Sequence, residues 1–214
     1  MATMLSPTTQ PILLEGVSWV TYTCLLADFG ESHAARLAYD QGRLEIMSPS
    51  FTHERLNRTL AALVEILAGA LGLDLERAGS TTFKREDIGR GFEPDSCFYL
   101  QHAAHVRGRE RIDLATDPPP DLVIEIDMTH PSLDKLPMYE AIGVPEVWRY
   151  DGQHLQISRL VTGRYTEVQT SAALPGITRR HLEEWMDASQ GTPYPAWLAQ
   201  ILTLVRRQSQ GGDA

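Results

Sequence analysis

An α/β fold with a mixed central sheet flanked by helices is predicted from three observations. The first is the segment 118–150, PPPDLVIEIDMTHPSLDKLPMYEAIGVPEVWRY, which reads as loop, buried strand, short helix and strand. The second is a pair of hairpins with turn chemistry, one on each side of that segment. The third is a long amphipathic helix in the first third of the chain. Strands that precede and follow single helices imply one α/β domain. The chain has 214 residues, enough for one domain with a sizeable core.

Taken in order, residues 1–17 are expected to be a loose leader, and residues 18–208 the domain. Ser18 is placed to cap a helix over 19–27. Strands at 34–39 and 43–47 flank Asp40-Gln41-Gly42, which has the composition of a tight hairpin turn. Ser50 or Thr52 then caps the longest helix, 53–71. Leu56, Leu60, Leu63, Leu67 and Ala70 recur at three- and four-residue spacing and mark its buried stripe. Gly72 is the expected C-cap. Strands are expected at 73–78 and 81–84, with a break across Gly89 to Gly91. Glu93-Pro94-Asp95 opens a further strand through Leu100. Residues 102–117 are polar and read as surface with at most a turn of helix. Beyond the central unit, strands at 154–160 and 165–170 form the second hairpin around Thr162-Gly163. Helices over 179–188 and 195–207 close the domain, and 209–214 is expected to fray.

The central strand, 121–127, is unusual. Leu122, Val123, Ile124 and Ile126 suit a strand covered on both faces, yet Glu125 and Asp127 interrupt the apolar run. Alternation puts Val123, Glu125 and Asp127 on one face. A buried carboxylate is costly unless it is paired, hydrogen-bonded or bound to a metal. The next helix supplies a cation. With Asp134 as N-cap, Pro137 falls in the first turn, where a proline is tolerated. Lys135 then also lies in the first turn, where the helix dipole disfavours positive charge, so nearby acid accounts for it better. Leu136, Tyr139 and Ile142 form the inward stripe, and Gly143 ends the helix before a strand over 146–151.

Composition narrows the function classes. Hydrophobic content of 43% and charged content of 22% are those of a globular protein. A net charge of −9 argues against a large surface that coats nucleic acid. It leaves room for a local basic groove and fits a carboxylate cluster that takes a divalent ion. Cys24 and Cys97 make no disulfide framework, so a reduced, cytoplasmic protein is expected. Neither a signal peptide nor an apolar run of roughly 18 residues stands out, so no membrane partner is expected.

Asp95 at a strand start, Glu125 in a second strand and Lys135 in the following helix form a set that metal-dependent phosphodiester hydrolysis can use. Two carboxylates from adjacent strands can hold one hard cation, with water and a substrate phosphate filling its shell. Such an ion acidifies a bound water, and a lysine in reach orients that water and offsets transition-state charge.

The segments EPDSCFYL, PPPDLVIEID and K-LPMY-EAIGVPEVWRYD resemble the Uma-type family of restriction endonucleases, assigned to the PD-(D/E)XK nuclease superfamily. RLEIMSPSFTHERLNRTLAALV and STTFKREDIGRGFEPD extend the resemblance, which covers roughly 18–170. It implies a restriction-endonuclease-like fold and a Mg²⁺- or Mn²⁺-dependent DNA endonuclease, with a homodimer allowed. Asp95 and Glu125 become the metal ligands. The superfamily lysine two positions after the acid is replaced by Asp127. The family commonly carries a lysine four residues before the helix tyrosine, which here is Lys135 before Tyr139, so the lysine role passes to Lys135. Asp127 is then a ligand, an outer partner or the salt-bridge partner of Lys135.

Other readings stand beside this one. Glu125, Asp127 and Lys135 can form a structural ion-pair network. The chain can be a catalytically inactive nuclease-fold binding module, or a metal-dependent hydrolase of another phosphate ester. Glu45 and Glu54 flank the long helix start and are candidates to reach the pocket, although Glu54 also suits a first-turn acid. His53 matches a family histidine and equally suits capping or packing. His102 and His105 have metal-like spacing without a second pair, which argues against zinc. Cys97 is expected to pack as a small hydrophobe, Tyr139 and Trp148 to lie in the core, and Lys84, Arg85 and Arg90 to sit on a basic surface that can meet a phosphate backbone.

Overall fold

The computed structural model describes residues 11–30, 35–128 and 133–210. The chain forms α/β architecture with two sheets flanked by helices. In order, its elements are β1 (Ile12–Leu14), α1 (Trp19–Phe29), β2 (Arg36–Asp40), β3 (Arg43–Met47), α2 (Phe51–Ala70), β4 (Glu76–Arg77), β5 (Phe83–Arg85), β6 (Arg90–Phe92), β7 (Ser96–Tyr99), α3 (Ala103–Val106), β8 (Leu122–Ile126), α4 (Leu136–Ile142), β9 (Glu146–Tyr150), β10 (Leu155–Val161), β11 (Arg164–Val168), α5 (Arg179–Ser189) and α6 (Tyr194–Gln210).

Five strands pair in the order β1-β3-β2-β6-β5, and six in the order β11-β10-β9-β8-β7-β4. The six-stranded sheet is mixed. Its β8–β9 pair is parallel, with α4 as the crossover, and its other pairs are antiparallel. One face of that sheet, with Leu122, Ile124, Trp148 and Tyr150, packs against α2, α5 and α6. The opposite face, with Cys97, Val123 and Val147, packs against α4 and against Ala38, Phe83 and Phe92 of the five-stranded sheet. That smaller sheet turns Leu37, Tyr39 and Leu44 toward Tyr22 of α1. Successive residues of β2 thus serve two cores, as the two-residue period of a strand requires. Trp148 is fully buried, and truncating it to alanine removes enough packed surface to cost about 3–5 kcal/mol.

Local chemistry sets most element ends. The Ser18 and Ser50 hydroxyls accept from Thr21 and His53 N–H and start α1 and α2. Gln41 and Gly42, both with positive φ, make the two-residue turn between β2 and β3. Thr162 and Gly163 do the same between β10 and β11.

Several expectations shift by tertiary context. Within the stretch read as a loose leader, Ile12–Leu14 pairs antiparallel with β3 as an edge strand; residues 1–10 and 211–214 lie outside the described residues, as does Ala34 at the expected start of β2. The long helix ends at Ala70, with Leu71 as its cap and Gly72 one residue beyond, and Ala70 is exposed rather than part of the buried stripe. The strand expected over 73–78 shrinks to two residues at the sheet edge. The Gly89–Gly91 break is a single 3₁₀ turn, Glu86–Ile88, followed at once by β6. Gly91 is glycine for a packing reason, since a Cβ there would lie 2.3 Å from the Tyr22 hydroxyl oxygen. In α4 the N-cap is Lys135 rather than Asp134, whose carboxylate instead accepts from Leu136 N–H at 3.2 Å.

Candidate active site

The site forms where β7 and β8 run side by side beneath the start of α2. Asp95 immediately precedes β7. Asn57, on the buried face of α2, donates from Nδ2 to the Asp95 backbone carbonyl at 3.0 Å and accepts from Ser96 Oγ at 2.9 Å. These bonds fix the backbone from which the carboxylate projects. The Asp95 side chain is buried, and its Oδ2 accepts from Ile126 N–H at 2.8 Å. His53, one helical turn before Asn57, places Nε2 at 3.1 Å from the same oxygen. Oδ1 is buried with no hydrogen-bond partner among the described residues.

Charge explains how this carboxylate stays ionised. Burial by itself raises the Asp95 pKa, but His53, the Lys135 charge and the Ile126 N–H together outweigh it and hold the group below its usual range. His53 responds in the reciprocal direction. Burial pulls its pKa down, and Asp95, Glu125 and Glu54 more than reverse that, so the ring holds its proton more tightly than a free imidazole does.

Glu125 lies in β8, fourth in the strand, and is buried. Lys135 Nζ donates to its Oε2 at 2.8 Å, and the Tyr139 hydroxyl makes a short bond to Oε1. Lys135 and Tyr139 are four residues apart, so α4 presents both to one carboxylate. Burial pushes the Glu125 carboxyl from 4.5 up to about 7; Lys135 opposes the rise, while Asp95 and Asp127 add to it. Burial would lower the Lys135 ammonium, yet Glu125, Asp95 and Glu45 hold it above its usual value. Lys135 therefore keeps its proton, and Glu125 is the group of the pair that titrates near neutrality.

Asp95, Glu125 and Lys135, far apart in sequence, thus converge on one interior locus. The other candidates take varied positions. Asp127 pairs with Arg149, whose Nε donates to Oδ2 at 2.6 Å, and not with Lys135. Glu45 is buried and accepts from Leu133 N–H at 3.0 Å, which ties β3 to the segment before α4. Glu54 lies between Arg36 at 3.5 Å and Arg58 at 3.7 Å. His102 Nδ1 and His105 Nε2 face Asp121 and Asp117 at 2.6 and 3.4 Å, so each histidine has a separate acid. Cys97 is buried in the core beside Val123. Arg85 and Arg90 are engaged by Asp87 and Asp40, at 2.6 and 2.8 Å.

Four participants were not singled out for the site from sequence. Tyr139 and Asn57 sit four residues after Lys135 and His53, and that spacing was the available signal. Ser96 and Arg149 carry no such signal. Arg149 faces Glu125 only through the β8–β9 register.

Glu125, Asp127, Lys135, Tyr139 and Arg149 line a crevice of about 20 Å³. A water needs roughly 10–15 Å³, so the crevice takes one water or ion and no more. Asp127 and Arg149 also line an adjoining cleft of about 800 Å³, together with Asp151, His154, Glu167 and Arg179. No group of three or more His, Cys, Asp or Glu side chains among the described residues is placed to hold a metal. The donor set nevertheless offers a hard divalent cation one open position beside this crevice, because the buried Asp95 Oδ1 has lone pairs that no described residue uses. No helix among the described residues is long and apolar enough to cross a membrane.

Comparison with known proteins places the chain. A crystal structure of "a putative nuclease belonging to DUF820 from Anabaena variabilis ATCC 29413" is similar at 14% identity and a TM-score of 0.49, over 75% of this chain and 96% of that one. No curated protein matches. The family named Uma2 and described as "Putative restriction endonuclease" matches residues 19–188, from the start of α1 into α5 and across the whole site. With most of its length matched, including Asp95, Glu125 and Lys135, the chain belongs to the Uma2 family.

Proposed function

We propose that the chain is an endonuclease that hydrolyses phosphodiester bonds in DNA with Mg²⁺ or Mn²⁺ held by Asp95 and Glu125. The observation that carries this reading is the buried Asp95 Oδ1, left without a donor among the described residues next to the Glu125–Lys135 pair. A buried, unsatisfied carboxylate oxygen costs about 1–3 kcal/mol or more, a penalty that a cation would remove. When bound, the ion supplies an acidified water and stabilises charge on the phosphate.

The chain's own residues do the rest. His53 keeps Asp95 ionised, and Tyr139 fixes the Glu125 carboxylate. Lys135 holds a positive charge where a water and a phosphate oxygen would meet, so it orients the water and offsets charge in the transition state. In the reaction a bond forms from the water oxygen to phosphorus and an ester P–O bond breaks. The water loses a proton and the leaving oxygen gains one. Arg149, held by Asp127 at the border of crevice and cleft, is a second cation within the same surroundings.

Purified protein incubated with plasmid DNA in Mg²⁺, Mn²⁺ or EDTA tests the proposal. Cleavage is expected with metal and not with EDTA, and Glu125→Gln is expected to abolish it. A variant that cuts at the parent rate at equal metal concentration would remove Glu125 from the ligand set. One observation favours a second reading, an inactive binding module: both Glu125 oxygens are already occupied, by Lys135 and Tyr139. That reading predicts no Mn²⁺-dependent rise in melting temperature, whereas the endonuclease reading predicts one.

A further inference from the structure

The outer face of α2 concentrates positive charge in a chain whose net charge is −9. The inner face of that helix sends His53 and Asn57 to Asp95. Arg55 and Arg58 stand exposed on the outer face, and Arg36 of β2 joins them beside Glu54. Among the described residues Glu54 is the carboxylate that pairs with this group, with Arg36 at 3.5 Å and Arg58 at 3.7 Å. Arg55 has no ion-pair partner among the described residues. Three guanidinium groups around one carboxylate leave a local surplus of positive charge.

Aromatic surface accompanies the charge. Phe51, four residues before Arg55 on the same side of the helix, is 84% exposed, and Tyr194 is 59% exposed. Arg55, Arg58, Thr59, Tyr194 and Trp197 line a cavity of about 290 Å³. The Tyr194 and Trp197 rings lie 5.7 Å apart, and the Trp197 indole N–H is already bonded to the Trp185 carbonyl at 2.8 Å. Trp197 is buried and backs the cavity wall, so the ring surface open to a ligand there is that of Tyr194.

We propose that this face binds a single-stranded nucleic-acid segment, with Arg55 and Arg58 on its phosphates and Tyr194 and Phe51 on its bases. Cationic side chains beside exposed rings are the combination that holds single strands, because every unpaired base offers a π-face and every nucleotide a phosphate. A duplex keeps its base faces stacked inside and cannot fill the cavity. A helix rises roughly 1.5 Å per residue, so Arg55 and Arg58 lie about 3 and 8 Å along the axis from His53, and a strand held there lies across α2 from the site. The proposal rests on the nuclease reading for the strand's purpose, but its binding step needs no cleavage.

Fluorescence anisotropy with a labelled single-stranded oligonucleotide and the matching duplex, in EDTA and over a range of salt, is the test. The wild-type chain is expected to bind the single strand more tightly. The double variant Arg55→Ala/Arg58→Ala should weaken binding and reduce the magnitude of the log–log salt slope by about 1.4, as loss of two single-strand phosphate contacts requires. Tyr194→Ala should weaken single-strand binding roughly fivefold or more while leaving the salt slope and duplex binding unchanged. All these positions are exposed, and unchanged melting temperatures would show that the variants fold. Equal binding by wild type and both variants, or no binding by wild type, overturns the proposal. Binding with these signatures but no cleavage in Mn²⁺ would sink the nuclease reading alone; cleavage with variant-insensitive binding would sink this surface alone.

Discussion

Strands β7 and β8 carry an aspartate at each end of their antiparallel pair, and the two are treated in opposite ways. Asp121 precedes β8 and Asp95 precedes β7, each beside the far end of the other strand. Asp121 uses both oxygens: Oδ2 accepts from Leu100 and His102 N–H at 2.8 and 2.9 Å, and Oδ1 meets His102 Nδ1 at 2.6 Å. Asp95 has its Ile126 and His53 neighbours on one oxygen and, among the described residues, nothing on the other. Both carboxylates are buried, so burial does not distinguish them. Unused bonding capacity beside other charges does. The Asp121 end closes a loop onto the sheet, while the Asp95 end keeps lone pairs free next to Glu125 and Lys135.

The largest effect that would sharpen this contrast comes from Lys135→Ala. The role proposed for it is exercised mainly in the transition state, so kcat should fall on the order of a hundredfold while KM and Mn²⁺ affinity change less. Stopped assays and Mn²⁺ titrations on this variant measure both. If the pair is only structural, the variant instead loses about 3–5 kcal/mol of stability and keeps its rate at low temperature, and the contrast collapses.

The matched variants Asp95→Asn and Asp121→Asn come next. An amide at 121 keeps one acceptor oxygen for Leu100 and His102 N–H but loses the charge that strengthens those bonds and the His102 contact, and about 1–3 kcal/mol of stability should be lost in denaturant titrations, with cleavage rates unchanged. An amide at 95 keeps an acceptor for Ile126 N–H, so metal-free stability should change less, while the Mn²⁺-dependent rise in melting temperature disappears. Equal losses of stability from the two variants would make the two ends alike.

A smaller effect is expected from pH. Glu125 has its pKa raised from 4.5 to about 7 by burial first, against Lys135 and with Asp95 and Asp127. A raised carboxyl binds its proton more tightly in the folded chain, so its stability contribution is complete below 4.5 and is lost as pH rises through about 7. Metal-free melting temperatures should therefore decline across that window, and Glu125→Gln should flatten the decline. Asp95, depressed below its usual value, acts with the opposite sign and at lower pH, where its contribution is lost as pH falls. Stabilisation by Mn²⁺ should grow with pH over the Glu125 window, since the ion needs the ionised carboxylate. A flat metal-free profile in the parent chain would show that Glu125 titrates as an ordinary surface acid.

Much of this arrangement was legible in the chain because it depends on neighbours in sequence. The all-apolar strand interrupted by Glu125 announced an interior carboxylate. Ser50, Gln41-Gly42 and Gly143 set a helix start, a hairpin and a helix end through side-chain and backbone preferences that act within a few residues. Lys135 in a first turn signalled acid nearby, and its four-residue spacing from Tyr139 put both on one face.

What only the tertiary structure decided depends on strand register and on which sheet edges meet. Asp127 goes to Arg149 because β8 and β9 pair in parallel with Glu125 beside Arg149, 24 positions away in sequence. Glu45 closes on Leu133 N–H across 88 positions. Periodicity says which face a side chain takes, but not which strand lies beside it. The sequence by itself therefore determined that carboxylates and a lysine would be interior. Folding decided which oxygens are satisfied, because hydrogen bonds are local in space and not in the chain. The free oxygen of Asp95 exists only once Ile126, His53 and Asn57 have taken their places around it.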